Sequence, residues 1–317
     1  MQGKLVTVFG ASGFIGRNIV RELAKRGARV NAVCRDVEKA KFLKPMGVVG
    51  QVTPMRADVT DPAAIARAVK GASVVVNLVG ILHQSGRNTF DAVQGTAPGL
   101  IAQAARDVGA EAMVHVSAIG ADANSSSKYA RSKAVGEAAV RAAFPEATIL
   151  RPSVLFGAND SFFNKFASLA LISPVLPLIG GGATKFQPVY VDDVADAIMA
   201  SIENPAARGQ TYELGGPTVY SFRALMEMIL KETNRKACLV NLPFWGASIK
   251  ATFLELLPNP MLTRDQVELL KTDNVVSEGA KTLADLGIEA TPVEMIVPTY
   301  LDKFRPGGRY STGRQPA

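Results

Sequence analysis

A chain of 317 residues, 48% apolar and 20% charged, is long enough to bury a full doubly wound domain and a smaller second one, and its composition excludes a disordered, fibrous or repeat architecture. Its formal charge of +7 suits an acidic partner, but the basic residues are scattered and no nucleic-acid-binding pattern accompanies them, so nucleic acid is not an expected partner. Two cysteines and two histidines cannot assemble a disulfide framework or a clustered metal site; no metal is expected, and a reducing compartment fits.

The first strand, Lys4 to Phe9, begins within a few residues of Met1. That leaves no room for a signal or transit peptide, and the expected starting compartment is the cytosol. The strand runs into Gly10-Ala11-Ser12-Gly13-Phe14-Ile15-Gly16, after which Phe14 to Arg26 reads as an amphipathic helix closed by Gly27. Glycines at the first, fourth and seventh positions let the backbone turn sharply and approach a pyrophosphate, and the helix N-terminus offers free N–H groups and a positive dipole end. Gly10, Ser12, Gly13, Phe14, Ile15, Gly16 and Arg17 are therefore expected at a dinucleotide.

The second strand, Arg29 to Cys34, ends about 20 residues after the last glycine, where an NAD site places a carboxylate on the ribose 2′-hydroxyl. Arg35 stands there instead. A guanidinium suits a 2′-phosphate, so NADP(H) is expected over NAD(H), with Arg17 and Lys39 as helpers. Asp36, next in line, keeps NAD(H) open and reads better as the N-cap of a short helix from about Val37. A third strand, Gln51 to Arg56, leads to Asp58-Val59, which either meets the adenine or shapes a turn. Asp61-Pro62 caps a helix that runs to Lys70.

Ser73 to Val79 is almost wholly apolar, as in a central parallel strand buried on both faces. Asn77, Val79 and Gly80 at its end are expected along the cofactor's mid-section. Helices from about Phe90 to Gly109 follow. Two more buried strands, Ala112 to Ser117 and Ala147 to Leu150, flank a helix that starts near Ser126. His115, inside an apolar run, reads as a packed strand residue. This alternation implies an α/β fold with a Rossmann-type doubly wound parallel sheet over residues 1–152.

After Arg151-Pro152 the regularity fails. Residues 153–186 and 217–302 are expected to form a smaller mixed C-terminal subdomain, with a return to the main sheet at about 187–216. The uncharged stretch Phe166 to Thr184 is interrupted by Pro174, Pro177 and three glycines, so an irregular connector is expected there and a membrane span is not. Ser221 to Thr233 reads as an amphipathic helix, and residues 303–317 as a flexible basic tail. Between Pro243 and Pro258 a helix apolar nearly all round, with Lys250 and Glu255 its only charges, has to be covered. Its own domain, a membrane surface or a partner subunit are the candidates, with Trp245 and Lys250 at the interface in the last two cases.

Taken in order, the Gly-rich turn, Asp58-Val59, Asn77 to Gly80, Tyr129-x-x-x-Lys133 and Arg151-Pro152 resemble the extended or atypical branch of the short-chain dehydrogenase/reductase superfamily. The resemblance implies a catalytic triad at Ser117, Tyr129 and Lys133, with Pro152 among the cofactor contacts. In that superfamily the Tyr is a general acid toward a carbonyl, the Lys lowers its pKa and holds the nicotinamide ribose, and the Ser orients the substrate. Residues four apart share a helix face, and a nearby ammonium favours the phenolate.

The segments Tyr129–Glu137, Arg151–Gly157, Gln187–Val191, Thr263–Glu268 and Leu283–Pro292 resemble a narrower family, the NAD(P)H-binding accessory subunits of respiratory complex I of the alpha subcomplex subunit 9 type. That resemblance implies a peripheral-arm protein that keeps NADPH bound without turning it over, so that Tyr129 and Lys133 are cofactor contacts only. It also implies other complex I subunits as partners, contact with anionic lipid, and a peripheral place on the cytoplasmic face of a bacterial inner membrane. The alternatives are a soluble NADP(H)-dependent reductase or nucleotide-sugar epimerase that uses the triad, and a regulator that senses the NADPH level.

Overall fold

The computed structural model describes residues 1–258 and 260–308, and residues 309–317 of the expected tail lie outside the described residues. Seven parallel strands form the main sheet. Six come in chain order: β1 (Leu5–Phe9), β2 (Arg29–Cys34), β3 (Val52–Arg56), β4 (Val74–Asn77), β5 (Ala112–Val116) and β6 (Thr148–Pro152). The seventh is Thr211–Leu214, and the spatial order is Thr211–Leu214, β6, β5, β4, β1, β2, β3. The chain steps outward from β1 to β3, crosses back to β4 and steps outward the other way. The order therefore reverses between β1 and β4, and at such a switch point the carboxyl ends of the strands open a crevice.

Helices α1 (Phe14–Lys25), α2 (Pro62–Val69), α3 (Ala97–Asp107) and α4 (Lys128–Ala143) connect the strands. Phe9, Val75 and Met113 on the sheet pack with Ile65, Ile101 and Val140 of α2, α3 and α4 in one core. Right-handed crossovers on the two sides of the switch put α1 on the opposite face from α3. The expected caps are present: Asp61 accepts from Ala63 N at α2, and Ser127 accepts from Ala130 N at α4. The helix expected from Val37 is instead a turn followed by a 3-10 helix at Lys41–Met46. Pro45 inside that segment withholds the N–H that an α-helix would use.

Over the described residues the chain divides into two compact units: residues 1–152, 191–214 and 277–289, and residues 153–190, 215–258, 260–276 and 290–308. The return expected over 187–216 takes a different form. Val189–Tyr190 pairs with Leu155–Phe156 inside the second unit, and the return to the first is the helix Val191–Glu203 followed by the strand Thr211–Leu214. That helix packs on α1, with Arg21–Asp192 and Arg26–Glu203 ion pairs at 3.2 and 2.7 Å. Residues 277–289, expected in the subdomain, belong to the first unit. Glu213 anchors them, its backbone N donating to Lys281 O and its carboxylate accepting from Ser277 N.

In the second unit the expected connector is more regular than its prolines suggest. Helix Phe162–Ile172 is followed by the strand Val175–Ile179, which pairs in parallel with Cys238–Leu242. Phe163, Leu176, Leu225, Ile229 and Val297 build its core. The expected tail is tied down at its start, where Arg235 donates to Phe304 O and Arg305 to Glu232 O. Helix Phe244–Leu254 packs on its own unit through the buried Ala247 and Ala251 and the half-buried Phe244, which leaves Trp245, Ile249 and Phe253 exposed. Among the described residues no helix is long and apolar enough to cross a membrane.

Candidate functional site

The Gly-rich turn lies at the carboxyl end of β1, beside the switch point. Gly10 adopts φ +80°, a conformation that favours glycine, and packs against the Leu78 backbone. Gly16 lies so close to the turn that a Cβ there would collide with the carbonyl oxygens of Gly10 and Ala11. Gly10 and Ala11 donate to Val33 O, and Gly13 N donates to Gly10 O at 3.0 Å, which fixes the turn on the sheet. Gly13 is the N-cap of α1, no side chain caps this end, and the first turn carries no acid. The N–H groups at the head of α1 are unpaired by the helix itself, which is the donor set that a pyrophosphate requires.

Arg35 is exposed just beyond β2 and forms no salt bridge among the described residues. Its neighbours are more occupied. Lys39 lies 3.7 Å from Asp36, whose carboxylate accepts from Glu38 N and Lys39 N in the capping role expected of it. Arg17 sits over the Phe42 ring at 5.0 Å. Asp58 accepts from the backbone and hydroxyl of Thr60, which holds its carboxyl below the usual range, with help from the positive charges of Arg87 and Arg35. Asp58 thus shapes the turn after β3 while facing the same strand ends as Arg35.

The side chain of Asn77 is fully buried and braces the loop after β4 from beneath. It accepts from Val79 N at 3.1 Å and, through Nδ2, donates to His115 Nδ1 at 3.1 Å. His115 is therefore more than packing. Burial, with the charge of Lys133 nearby, pushes its pKa down to about 3 and keeps it neutral. With Nδ1 accepting, the proton sits on Nε2. Val79 is half-buried and Gly80 exposed above this brace.

Lys133 on α4 is buried, and its Nζ reaches Val116 O at 3.4 Å and lies 5.8 Å from the centre of the Tyr129 ring. Burial lowers its pKa to about 8, against the charge of Glu137 one turn on. Ser117, just past β5, is buried too, and its hydroxyl has no partner among the described residues. Pro152 closes β6 and accepts from Ile119 N at 3.1 Å. The structure thus gathers the Gly-rich turn, Arg35, Asp58, Gly80, Ser117, Tyr129 and Lys133 at the carboxyl edge of one sheet.

Two supports, Gln94 and Phe90, were not singled out in the sequence, and Arg151, read there only as part of a motif, proves to be a third. Gln94 is buried, accepts from Ile81 N at 2.7 Å and donates to Ser132 Oγ, which donates to Tyr129 O. Phe90 meets the Tyr129 ring edge-on with centroids 5.9 Å apart. Arg151 holds Glu137 in two hydrogen bonds of 2.9 and 2.8 Å and reaches Glu213 at 3.4 Å. No local signal marks Gln94, which lies in the mixed segment Asp91–Thr96 and finds its partners 13 and 38 positions away. Among the described residues no group of three or more His, Cys, Asp or Glu side chains is placed to hold a metal ion.

Comparison with known proteins places these features in context. Residues 6–215 match the NAD dependent epimerase/dehydratase family. The chain is 38% identical over 320 residues to NADH dehydrogenase [ubiquinone] 1 alpha subcomplex subunit 9 of Arabidopsis thaliana, covering 97% of this chain and 80% of that one. It is 39% identical to the Mus musculus protein of the same name, covering 93% and 79%. Among solved structures, NADPH-dependent quinone oxidoreductase QOR2 from Escherichia coli superposes with a TM-score of 0.73 at 20% identity, covering 93% of this chain and 99% of that one, a likeness of fold.

Proposed function

The chain belongs to the NAD dependent epimerase/dehydratase family and, within it, to the family of the complex I alpha subcomplex subunit 9 proteins, and from that premise we propose that it is an accessory subunit of a respiratory NADH:quinone oxidoreductase that holds NADP(H) and does not turn it over. The carrying observation is the reach of the likeness. It extends over 93–97% of this chain, through both units, and does not stop with the dinucleotide-binding part. Other subunits of the peripheral arm are the proposed partners, with contact to anionic lipid and a peripheral position on the cytoplasmic face of a bacterial inner membrane.

The residues present fit the dinucleotide, since the cradle closes against any Cβ at Gly16 and the head of α1 is free of acids. Gly10, Gly13 and Gly16 with the α1 N-terminus take the pyrophosphate, Arg35 with Arg17 takes the 2′-phosphate, and Tyr129 and Lys133 take the nicotinamide ribose. A bound nicotinamide supplies a hydride donor or acceptor. A ligand at a thousand times its Kd adds about 4 kcal/mol of apparent stability, so a retained cofactor serves the fold.

The lowered pKa of Lys133 beside the Tyr129 ring favours a second reading, a reductase or epimerase. One preparation separates the two. We expect stoichiometric NADPH to survive gel filtration and to show no oxidation across a panel of carbonyl substrates, and steady oxidation by any of them would establish the second reading. In the same assay Arg35→Asp should move preference from NADP(H) toward NAD(H). An unchanged preference would remove Arg35 from the 2′-phosphate.

A further inference from the structure

Helix Phe244–Leu254 lies on the second unit by Ala247 and Ala251, one turn apart and fully buried, and by Phe244 at its start. One turn either way from each other on the outward side stand Trp245, Ile249 and Phe253, at 71%, 56% and 69% exposure, and Leu256 and Leu257 extend the strip beyond the helix. Apolar side chains of this size, contiguous and outward, mark a surface that meets something other than water.

The polar groups on this segment narrow the choice of occupant. Thr252 turns its hydroxyl onto its own helix, donating to Ser248 O at 3.0 Å. Glu255, the one acid between Pro243 and Pro260, is neutralised by Arg264 at 3.0 Å. Lys250, exposed beside Ile249, forms no salt bridge among the described residues. The outward strip thus carries large apolar side chains beside a lysine with no salt bridge among the described residues, while its acid is neutralised, a charge balance that suits an anionic bilayer surface. An 11-residue helix is about 16 Å long, well short of a bilayer core of ~30 Å, so it can lie in the interface plane but cannot span.

We propose that Trp245, Ile249 and Phe253 form a docking face that inserts into the head-group boundary of an anionic phospholipid bilayer, with Lys250 among the phosphates. Side-chain and charge composition match an in-plane helix with a snorkelling lysine. The inference deepens the membrane placement proposed above, and its test stands apart from it, because it uses the purified chain and lipid alone.

Trp245 is the chain's single tryptophan, so intrinsic fluorescence reports this face and no other. With vesicles of phosphatidylcholine and phosphatidylglycerol, the full chain should sediment with the lipid, and its emission should shift to the blue and be quenched by brominated acyl chains. Phosphatidylcholine alone should bind it several-fold more weakly. Phe253→Ser, with thermal unfolding checked as unchanged, should abolish the shift, and Lys250→Glu should weaken binding to anionic vesicles roughly tenfold. Unshifted emission at low salt, or binding indifferent to Phe253→Ser, would overturn the docking face. Unshifted emission with vesicles, together with co-sedimentation with a lipid-stripped quinone oxidoreductase that Phe253→Ser abolishes, would assign the face to a protein partner. A chain that docks on vesicles but does not co-migrate with the oxidoreductase would leave this face standing and remove the complex I assignment.

Discussion

Burial and ligand binding pull the Lys133 ammonium in opposite directions. Enclosure lowers its pKa to about 8, while a ribose hydroxyl held by that ammonium would favour the charged form. The signs follow. In the free protein the unfolded chain binds the proton more tightly, so stability rises as pH climbs from about 8 toward the ordinary lysine range. Binding prefers the protonated form, so affinity for NADPH should fall as pH rises through 8, by up to tenfold per unit. Titration calorimetry from pH 7 to 10 checks this. Lys133→Met should bind weakly with a flat profile, and a flat profile in the unaltered chain would take the ammonium out of the site.

Residues whose chemistry depends on local spacing could be read directly. Glycines three apart at a strand end, and Tyr and Lys four apart on a helix, bring their own geometry. The brace from Asn77 to His115 could not be read that way, because the partners are 38 positions apart and meet only when β4 and β5 pair in register. His115 therefore looked like packing alone.

Among the elements, α4 decides whether Tyr129 and Lys133 face the strand ends. Ser127 starts it, Gln94 reaches it through Ser132, and Glu137 fastens it to β6 through Arg151. Glu137 is 4% exposed and its partner is in part open to water, so breaking this pair should cost near the low end of the ~3–5 kcal/mol seen for buried pairs. Glu137→Gln is thus expected to lower the Tm by several degrees, read by thermal unfolding, and a loss under one degree would show that α4 is held by other contacts.

The parallel strands were legible because burial on both faces leaves continuous apolar runs, and α2 because Asp61 and Pro62 mark its start. Less was legible where long-range partners decide the outcome. Residues 277–289 join the first unit through hydrogen bonds to Glu213, which no local pattern announces. Val175–Ile179 becomes a strand despite Pro177 because its partner lies at Cys238–Leu242. The apolar pattern at Phe244–Leu254 foretold a need for cover, but not that Ala247, Ala251 and Phe244 would face its own unit and leave Trp245, Ile249 and Phe253 outside.

At the scale of the whole molecule, the first unit supplies the dinucleotide crevice and the second an apolar face with a free lysine. A freely diffusing reductase has use for the first and none for the second, whereas a subunit at a membrane complex has use for both. If the proposed docking holds, a net charge of +7 contributes to it electrostatically, and association with acidic subunits or anionic lipid should weaken as salt rises.

The most direct test is the mass of the particle that carries this chain. After gentle solubilisation of membranes from the organism that makes it, followed by native separation, the chain should co-migrate with NADH:quinone oxidoreductase activity in a particle far larger than its own mass. Recovery of the chain only at the size of a free monomer or small oligomer, in fractions without that activity, would contradict the assignment.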